Sequence, residues 1–221
     1  VAMMARYRDP VGTLPFRGWW RNPIAAVFTV KGCSYECVTC GSSKTTCTHL
    51  TRRQRPVFRS PASLVANVEA FARLTKGPIA LIGDLRQAGP DHASEVLERL
   101  RAARLPNEII IELFSAPPPE YLREIDRCVP HWSIEFSPES HDQAVRNAQE
   151  GEGDYTTEAM EEMLKDALRL RCERLDVFFM IGLPGQTLES VRGTVDYCER
   201  LFQLGDKRLS CFISPMGPFL D

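Results

Sequence analysis

Six short apolar runs, separated by stretches with helical apolar spacing, narrow the folds open to this chain. The runs are 24–31 (IAAVFTVK), 78–84 (PIALIGD), 108–115 (EIIIELFS), 131–137 (HWSIEFS), 175–182 (LDVFFMIG) and 208–214 (RLSCFIS). Stretches of this length, rich in Val, Ile and Phe, read as buried strands. Between them, Leu64, Val65, Val68, Phe71 and Ala72 share one helical face, and Val96, Leu97, Leu100 and Ala103 another. Met160, Met163, Leu164, Ala167 and Leu168 form a third face; Leu188, Val191, Val195, Leu201 and Phe202 form a fourth. Pro117, Pro118 and Pro119 can open a helix carrying Leu122 and Ile125, because a first turn tolerates missing N–H groups. Six β-then-α beats predict an α/β protein with one parallel sheet and right-handed crossovers. An open doubly wound sheet and a curled partial barrel fit the rhythm equally. Both put the reactive edge at the carboxyl ends of the strands.

The 221 residues suit one large domain, and 43% hydrophobic with 25% charged content excludes a disordered chain. A net charge of −2 gives no strong nucleic-acid signal. No apolar run approaches a membrane span, and the first twenty residues lack a signal-peptide core, so a cytoplasmic protein is expected. Val1 and the closing Pro218-Phe219-Leu220-Asp221 lead us to expect a fragment of a longer protein. The expected organisation is an N-terminal extension or linker over 1–23, a core over 24–216, and the start of a truncated C-terminal region over 217–221. Two stretches lack apolar period. Residues 42–60 hold Lys44, Arg52, Arg53, Arg55 and Arg59 and read as a solvated loop, with a phosphate or partner patch as the alternative. Residues 147–156 read as a polar connection.

Of eight cysteines, five stand singly and three fall within eight residues directly after the first strand. Cys33, Cys37 and Cys40 follow the pattern Cys-x3-Cys-x2-Cys. Three thiolates so close can wrap one compact soft-metal centre. A cubane held by three thiolates keeps one iron without a protein ligand, and that corner admits a chelating small molecule. Two other readings stay open: a structural zinc site completed by Cys47 or His49, and an iron–sulfur electron-transfer or redox-sensing protein.

The loop and its place after the first strand resemble those of the radical SAM superfamily, iron–sulfur enzymes that cleave S-adenosylmethionine (SAM). The resemblance covers about residues 24–216. It implies a partial (β/α)6 TIM-like barrel of parallel strands, with Cys33, Cys37 and Cys40 binding three irons of a [4Fe–4S] cluster. The fourth iron would take the amino and carboxylate groups of SAM. The family commonly has an aromatic residue before the third cysteine, where this chain has Thr39.

Other positions carry the resemblance further. Gly83-Asp84 is similar to the Gly-Gly-Glu-like element that accepts hydrogen bonds from the SAM ammonium. Strand four segregates polar His131, Ser133, Glu135 and Ser137 from apolar Trp132, Ile134 and Phe136. A polar face inside a helix-covered parallel sheet needs a cavity or ligand. Residues 134–139 (IEFSPE) are similar to the family's fourth-strand segment, which assigns Glu135 and Ser137 to SAM ribose and carboxylate. The family often places a base after this strand; Gln149-Glu150-Gly151 has none, and Arg146 is the nearest substitute. Gly182-Leu183-Pro184-Gly185-Gln186-Thr187 resembles the family's Gly-Leu-Pro-Gly-Glu-Thr turn, so Gly182 and Pro184 are expected at the cofactor. Strand six is expected to supply backbone or small-side-chain contacts to adenine. Glu112, Asp176 and Ser210, near strand centres, read equally as lumen-facing groups or structural partners.

The resemblance implies reductive cleavage of SAM to methionine and a 5′-deoxyadenosyl radical acting on an unknown substrate. It also implies a one-electron reductant such as flavodoxin or ferredoxin. Gly83-Asp84, Glu135 to Glu139 followed by His141-Asp142, and Gly182 to Gln186 together are most similar to radical SAM enzymes associated with a cobalamin-binding domain. That domain's Asp-x-His-x-x-Gly signature does not occur in these 221 residues. Cobalamin would then be held by a domain outside this chain.

Overall fold

The computed structural model describes residues 23–151 and 155–216. Nearly all of the expected N-terminal extension, the middle of the 147–156 connection and the expected C-terminal start at 217–221 lie outside the described residues. In chain order the elements begin β1 (Ala25–Phe28), β2 (Val30–Lys31), α1 (Lys44–Thr51), β3 (Val57–Phe58) and α2 (Pro61–Ala72). They continue with β4 (Ile79–Ile82), a 3₁₀ turn (Leu85–Ala88), α3 (Pro90–Ala103), β5 (Ile109–Leu113) and α4 (Pro119–Cys128). The remainder are β6 (Trp132–Glu139), α5 (Gln143–Asn147), α6 (Thr157–Arg169), β7 (Cys172–Ile181), α7 (Leu188–Phe202) and β8 (Leu209–Pro215).

Six strands form one sheet in the order β1-β4-β5-β6-β7-β8, every pair parallel. This is the partial (β/α)6 barrel architecture. The helices start where the sequence supplies caps: the hydroxyls of Ser60, Thr156 and Thr187 accept from the N–H groups of Ser63, Ala159 and Ser190. Their apolar faces cover the outer side of the sheet. There Trp132, Ile134 and Phe136 of β6 lie fully buried beside Leu175, Val177 and Phe179 of β7. Each such side chain contributes about 1.5–3 kcal/mol on burial. The opposite, concave face carries the alternate residues. At its floor Ser133 donates to Glu108, and Arg174 pairs with Asp176 and with Glu108. Toward the rim this face is apolar and open, with Phe28 and Phe212 exposed. Among the described residues no helix is long and apolar enough to cross a membrane.

Two local expectations are corrected. Residues 42–60 are not wholly irregular: they contain α1 and β3, and β3 pairs antiparallel with β2 (Val30 opposite Phe58, Lys31 opposite Val57). Helix α1 buries no residue, so it leaves no apolar period to read. Strand β7 begins at Cys172, three residues before the apolar run, because the fully buried Cys172 pairs with Trp132 while polar Glu173 and Arg174 interrupt the pattern.

Candidate functional site

The three clustered cysteines sit on the loop that leaves β2 at the carboxyl-end rim. Short backbone bonds fold the loop: Cys40 N–H donates to Cys37 O (3.1 Å) and Ser43 N–H to Cys40 O (3.1 Å). Ser43 then caps α1 through Thr46 N–H, while Lys44 N–H returns to Tyr35 O (2.8 Å). The loop is tied across the rim by Val38 N–H to Gln149 O (3.0 Å) and by an edge-on contact of Tyr35 with Phe114. A short-side-chain position matters here. A Cβ on Gly151 would stand 2.4 Å from Cys37 Sγ, so only glycine leaves the thiol its place.

All three cysteines line one cavity of about 980 Å³, with Gly83, Gln87, Glu112, Ser137 and Glu139 among the other wall residues. That volume lies at the upper end of the ~300–1,000 Å³ typical of ligand sites. Gln87 accepts from Ser34 N–H (3.3 Å) and the Cys33 thiol (3.6 Å). Its amide nitrogen is buried without a partner among the described residues. A free donor beside the Cys33 thiol suits a sulfur-rich anionic group. Among the described residues no three Cys, His, Asp or Glu side chains converge on a point where one ion would sit. A cubane distributes its thiolates over separate irons, and three cysteines around one cavity are a donor set such a cluster can take.

The other sequence-predicted positions divide. Gly83 and Ser137 lie on the cavity wall. Gly83 adopts φ +105°, and a Cβ there would come within 2.5 Å of Thr29 Oγ1, so the β4 exit requires glycine. Asp84, expected to receive an ammonium, is turned inward instead. Its carboxylate caps the 3₁₀ turn at Arg86 N–H (2.9 Å), pairs with the Arg86 guanidinium and accepts from Phe114 N–H (3.1 Å). The carboxyl nearest Gly83 comes from the neighbouring strand: Glu112 accepts from Gly83 N–H at 2.5 Å. Burial pushes the Glu112 carboxyl up, and the charges of Glu135 and Asp84 add to that push.

Glu135 sits one step down the lumen, in register with Glu112 and Asp176, away from the cavity wall. Glu139, which the sequence reading passed over, takes the rim position. The polar alternation of β6 does run on to it, beyond the 131–137 run. A register irregularity between Phe136 and Glu139 and a left-handed backbone at Glu139 (φ +63°) aim this residue, which lines the cavity. For a non-glycine residue that conformation costs about 1 kcal/mol or more.

Burial holds the Glu139 carboxyl above the usual carboxylate range. A carboxyl raised on folding lends stability below its unfolded pKa and loses it as pH rises through the folded value. Glu139→Gln is therefore expected to melt higher than the parent at about pH 7, the gain shrinking toward about pH 4. Thermal melts across that range check it; a lower melting point at neutral pH would contradict the burial argument.

Arg146 is no rim cation. It is buried, stacks over Tyr155 (5.0 Å), and donates to Ser140 O (2.9 Å), His141 O (2.9 Å), Tyr155 O (3.1 Å) and Thr157 Oγ1 (3.2 Å). Gly182 and Pro184 belong to a turn locked by Gln186, whose side-chain oxygen accepts from Gly182 and Leu183 N–H while its amide donates to Met180 O. Pro184 O accepts from Gln149 (3.4 Å). Neither residue lines the cavity. A glutamate at 186 has no donor for Met180, which accounts physically for glutamine there. In β8, Ser210 pairs with Asp176 in register, and Phe212 stacks on Phe178 (4.9 Å).

A parallel half-barrel with a three-cysteine loop and an acid-flanked cavity on its carboxyl rim defines a class of barrel proteins that work at their strand ends. Over residues 27–198 the sequence matches the radical SAM superfamily, and the chain belongs to that superfamily. Membership implies a [4Fe–4S] cluster and SAM as cofactors. No curated protein matches the sequence. Among solved structures the chain is similar to the radical SAM methyltransferase TsrM from Kitasatospora setae, solved with cobalamin and a [4Fe–4S] cluster bound. Identity is 17% and the TM-score 0.68, over 88% of this chain and 35% of that one. It is also similar to HydG, a maturase of the [FeFe]-hydrogenase (12% identity, TM-score 0.62, 89% and 43% covered). A third likeness is to coproporphyrinogen III oxidase HemN from Escherichia coli (16%, 0.57, 96% and 52%). At these identities the likeness is one of fold, and this chain spans 35% to 52% of those proteins' lengths.

Proposed function

We propose that this chain is the core of an enzyme that holds a [4Fe–4S] cluster through Cys33, Cys37 and Cys40. It cleaves SAM reductively to methionine and a 5′-deoxyadenosyl radical, which acts on a further substrate. The single observation that carries this reading is the meeting of all three cysteines with Gly83, Glu112, Ser137 and Glu139 around one rim cavity. When bound, the cluster supplies an electron and an open coordination position for the amino and carboxylate groups of SAM. The chain's own residues bind and orient. Glu112, steadied by Gly83 N–H, takes the duty toward the ammonium that the sequence had placed on Asp84. Ser137 and Glu139 offer a hydroxyl and a carboxyl to the ribose, and Phe114 and Ile82 shield that wall from water. Replacing Glu139 by Gln should weaken SAM binding about tenfold, the scale of one hydrogen bond to a charged group.

A narrower form adds methyl transfer through cobalamin held by a domain outside this chain. The Gly83-Asp84, Glu135 to Glu139 and Gly182 to Gln186 elements support it, together with the fold likeness to TsrM. A flavodoxin or ferredoxin is the proposed electron donor. The test is anaerobic incubation of the reconstituted chain with SAM and dithionite, followed by chromatography for 5′-deoxyadenosine. Its formation is expected. Iron and sulfide without 5′-deoxyadenosine would indicate an electron carrier, and one zinc without sulfide a binding module; either result overturns the proposal.

A further inference from the structure

The cavity wall beside the cysteine loop carries three cations that the proposed chemistry leaves unused. Lys31 of β2, Arg53 after α1 and Arg59 after β3 all line the cavity. Their backbones are fixed. Lys31 pairs with Val57 in the β2–β3 ladder, Arg53 N–H donates to Cys47 O (3.3 Å), and Arg59 N–H donates to Thr29 O (2.9 Å). Their charges are not matched. Among the described residues no carboxylate lies within ion-pair distance of the three, whereas Arg86 and Arg99 each have one and Arg174 has two.

A solvated basic loop does not explain this sorting. Within the same segment Lys44 pairs with Glu36 (3.1 Å), and Arg52 and Arg55 are exposed away from the cavity. Only Arg53 and Arg59 turn to the wall, where the hairpin adds Lys31. The same cavity is lined by Glu112 and Glu139 and by Phe28, Phe58, Phe178 and Met180. Its wall thus combines cationic, apolar and acidic groups. The acidic groups suit the ammonium of SAM. The SAM carboxylate goes to the open iron, so SAM offers the three cations no further anionic group.

We propose that Lys31, Arg53 and Arg59 form an anion subsite for the second substrate. That substrate is a small organic acid or phosphate ester whose apolar body packs on Phe28, Phe58 and Phe178. The assignment of a second substrate rests on the proposed function; the anion subsite itself rests on the three cations. Guanidinium groups grip carboxylate and phosphate oxygens in pairs, and apolar lining raises the strength of such contacts.

Because the substrate is unidentified, two probes stand in for it: 1-anilinonaphthalene-8-sulfonate and its uncharged counterpart, N-phenyl-1-naphthylamine. Fluorescence titration of the reconstituted chain should show the sulfonate binding about tenfold tighter than the neutral probe, as one charge-assisted hydrogen bond supplies. Added salt should narrow the difference. Arg53→Gln with Arg59→Gln should bring the two probes to parity and leave the neutral probe and SAM retention unchanged. The Arg53→Lys and Arg59→Lys variants, which keep the charge, should keep most of the preference. Equal binding of both probes to the parent overturns the subsite, as does loss of both probes together in the glutamine variant. A parallel fall in SAM retention shows that the cations serve SAM, and overturns the assignment to a second substrate. A sulfonate preference in a chain that yields no 5′-deoxyadenosine sustains the anion subsite while the proposed function fails.

Discussion

Cys37→Ser should fold like the parent and fail to take up a cluster. Serine matches cysteine in shape, and the bonds that set the loop, Val38 N–H to Gln149 O and Cys40 N–H to Cys37 O, run through backbone atoms that the exchange leaves in place. A hydroxyl is a poor ligand for the soft iron–sulfur centre, and two remaining thiolates cannot hold three irons. After anaerobic reconstitution the parent should carry about four irons per chain, with broad absorbance near 400 nm, and the variant less than about one. Iron and sulfide assays read the result, with circular dichroism confirming the fold. Cys37 is the most informative of the three because it is the buried one, seated against Gly151. Undiminished iron in the variant would remove the basis of the proposed chemistry.

The second large effect falls on stability. Arg146→Met keeps the volume but withdraws the guanidinium donors from Ser140 O, His141 O, Tyr155 O and Thr157 Oγ1, leaving His141 O only the Thr157 hydroxyl. Two of those carbonyls flank the turn into α5, and the others secure the entry to α6. Leaving a buried acceptor unpaired costs about 1–3 kcal/mol, and the acceptors released here come to about 3–5 kcal/mol in all. For a domain of this size each kcal/mol shifts Tm by roughly 2–4 °C, so a fall of about 6–20 °C is expected by calorimetry. Arg146→Lys should recover only part of it, since one ammonium cannot span four separated acceptors. A variant that melts like the parent yet loses SAM affinity would return Arg146 to the ligand role.

How legible all this was in the sequence depended on the range of the interaction. Strand positions read well because a strand covered by helices stays apolar along its length, as Ile79 to Ile82 does. The cysteine loop was readable because its meaning lies in local spacing. Asp84 misled because adjacency in sequence put it beside Gly83, while strand pairing delivers Glu112, twenty-nine residues later, to the Gly83 N–H. Arg146 was recognisable as a base, but its burial beneath Tyr155 depends on how the chain beyond α5 returns. The β2–β3 ladder is two residues per strand and buries no helix, too short to leave a pattern. Glu139 shared the polar alternation of Ser133, Glu135 and Ser137, but the irregularity that lifts it to the rim is a property of the β6–β7 register.

The left-handed backbone at Glu139 bears on kinetics as well as on geometry. A side chain on an ordinary strand end samples several orientations and must be frozen when a ligand arrives, which slows productive capture and weakens it. Here the main chain already fixes the direction in which the Cα–Cβ bond leaves the strand, so one part of that ordering is complete before any ligand arrives.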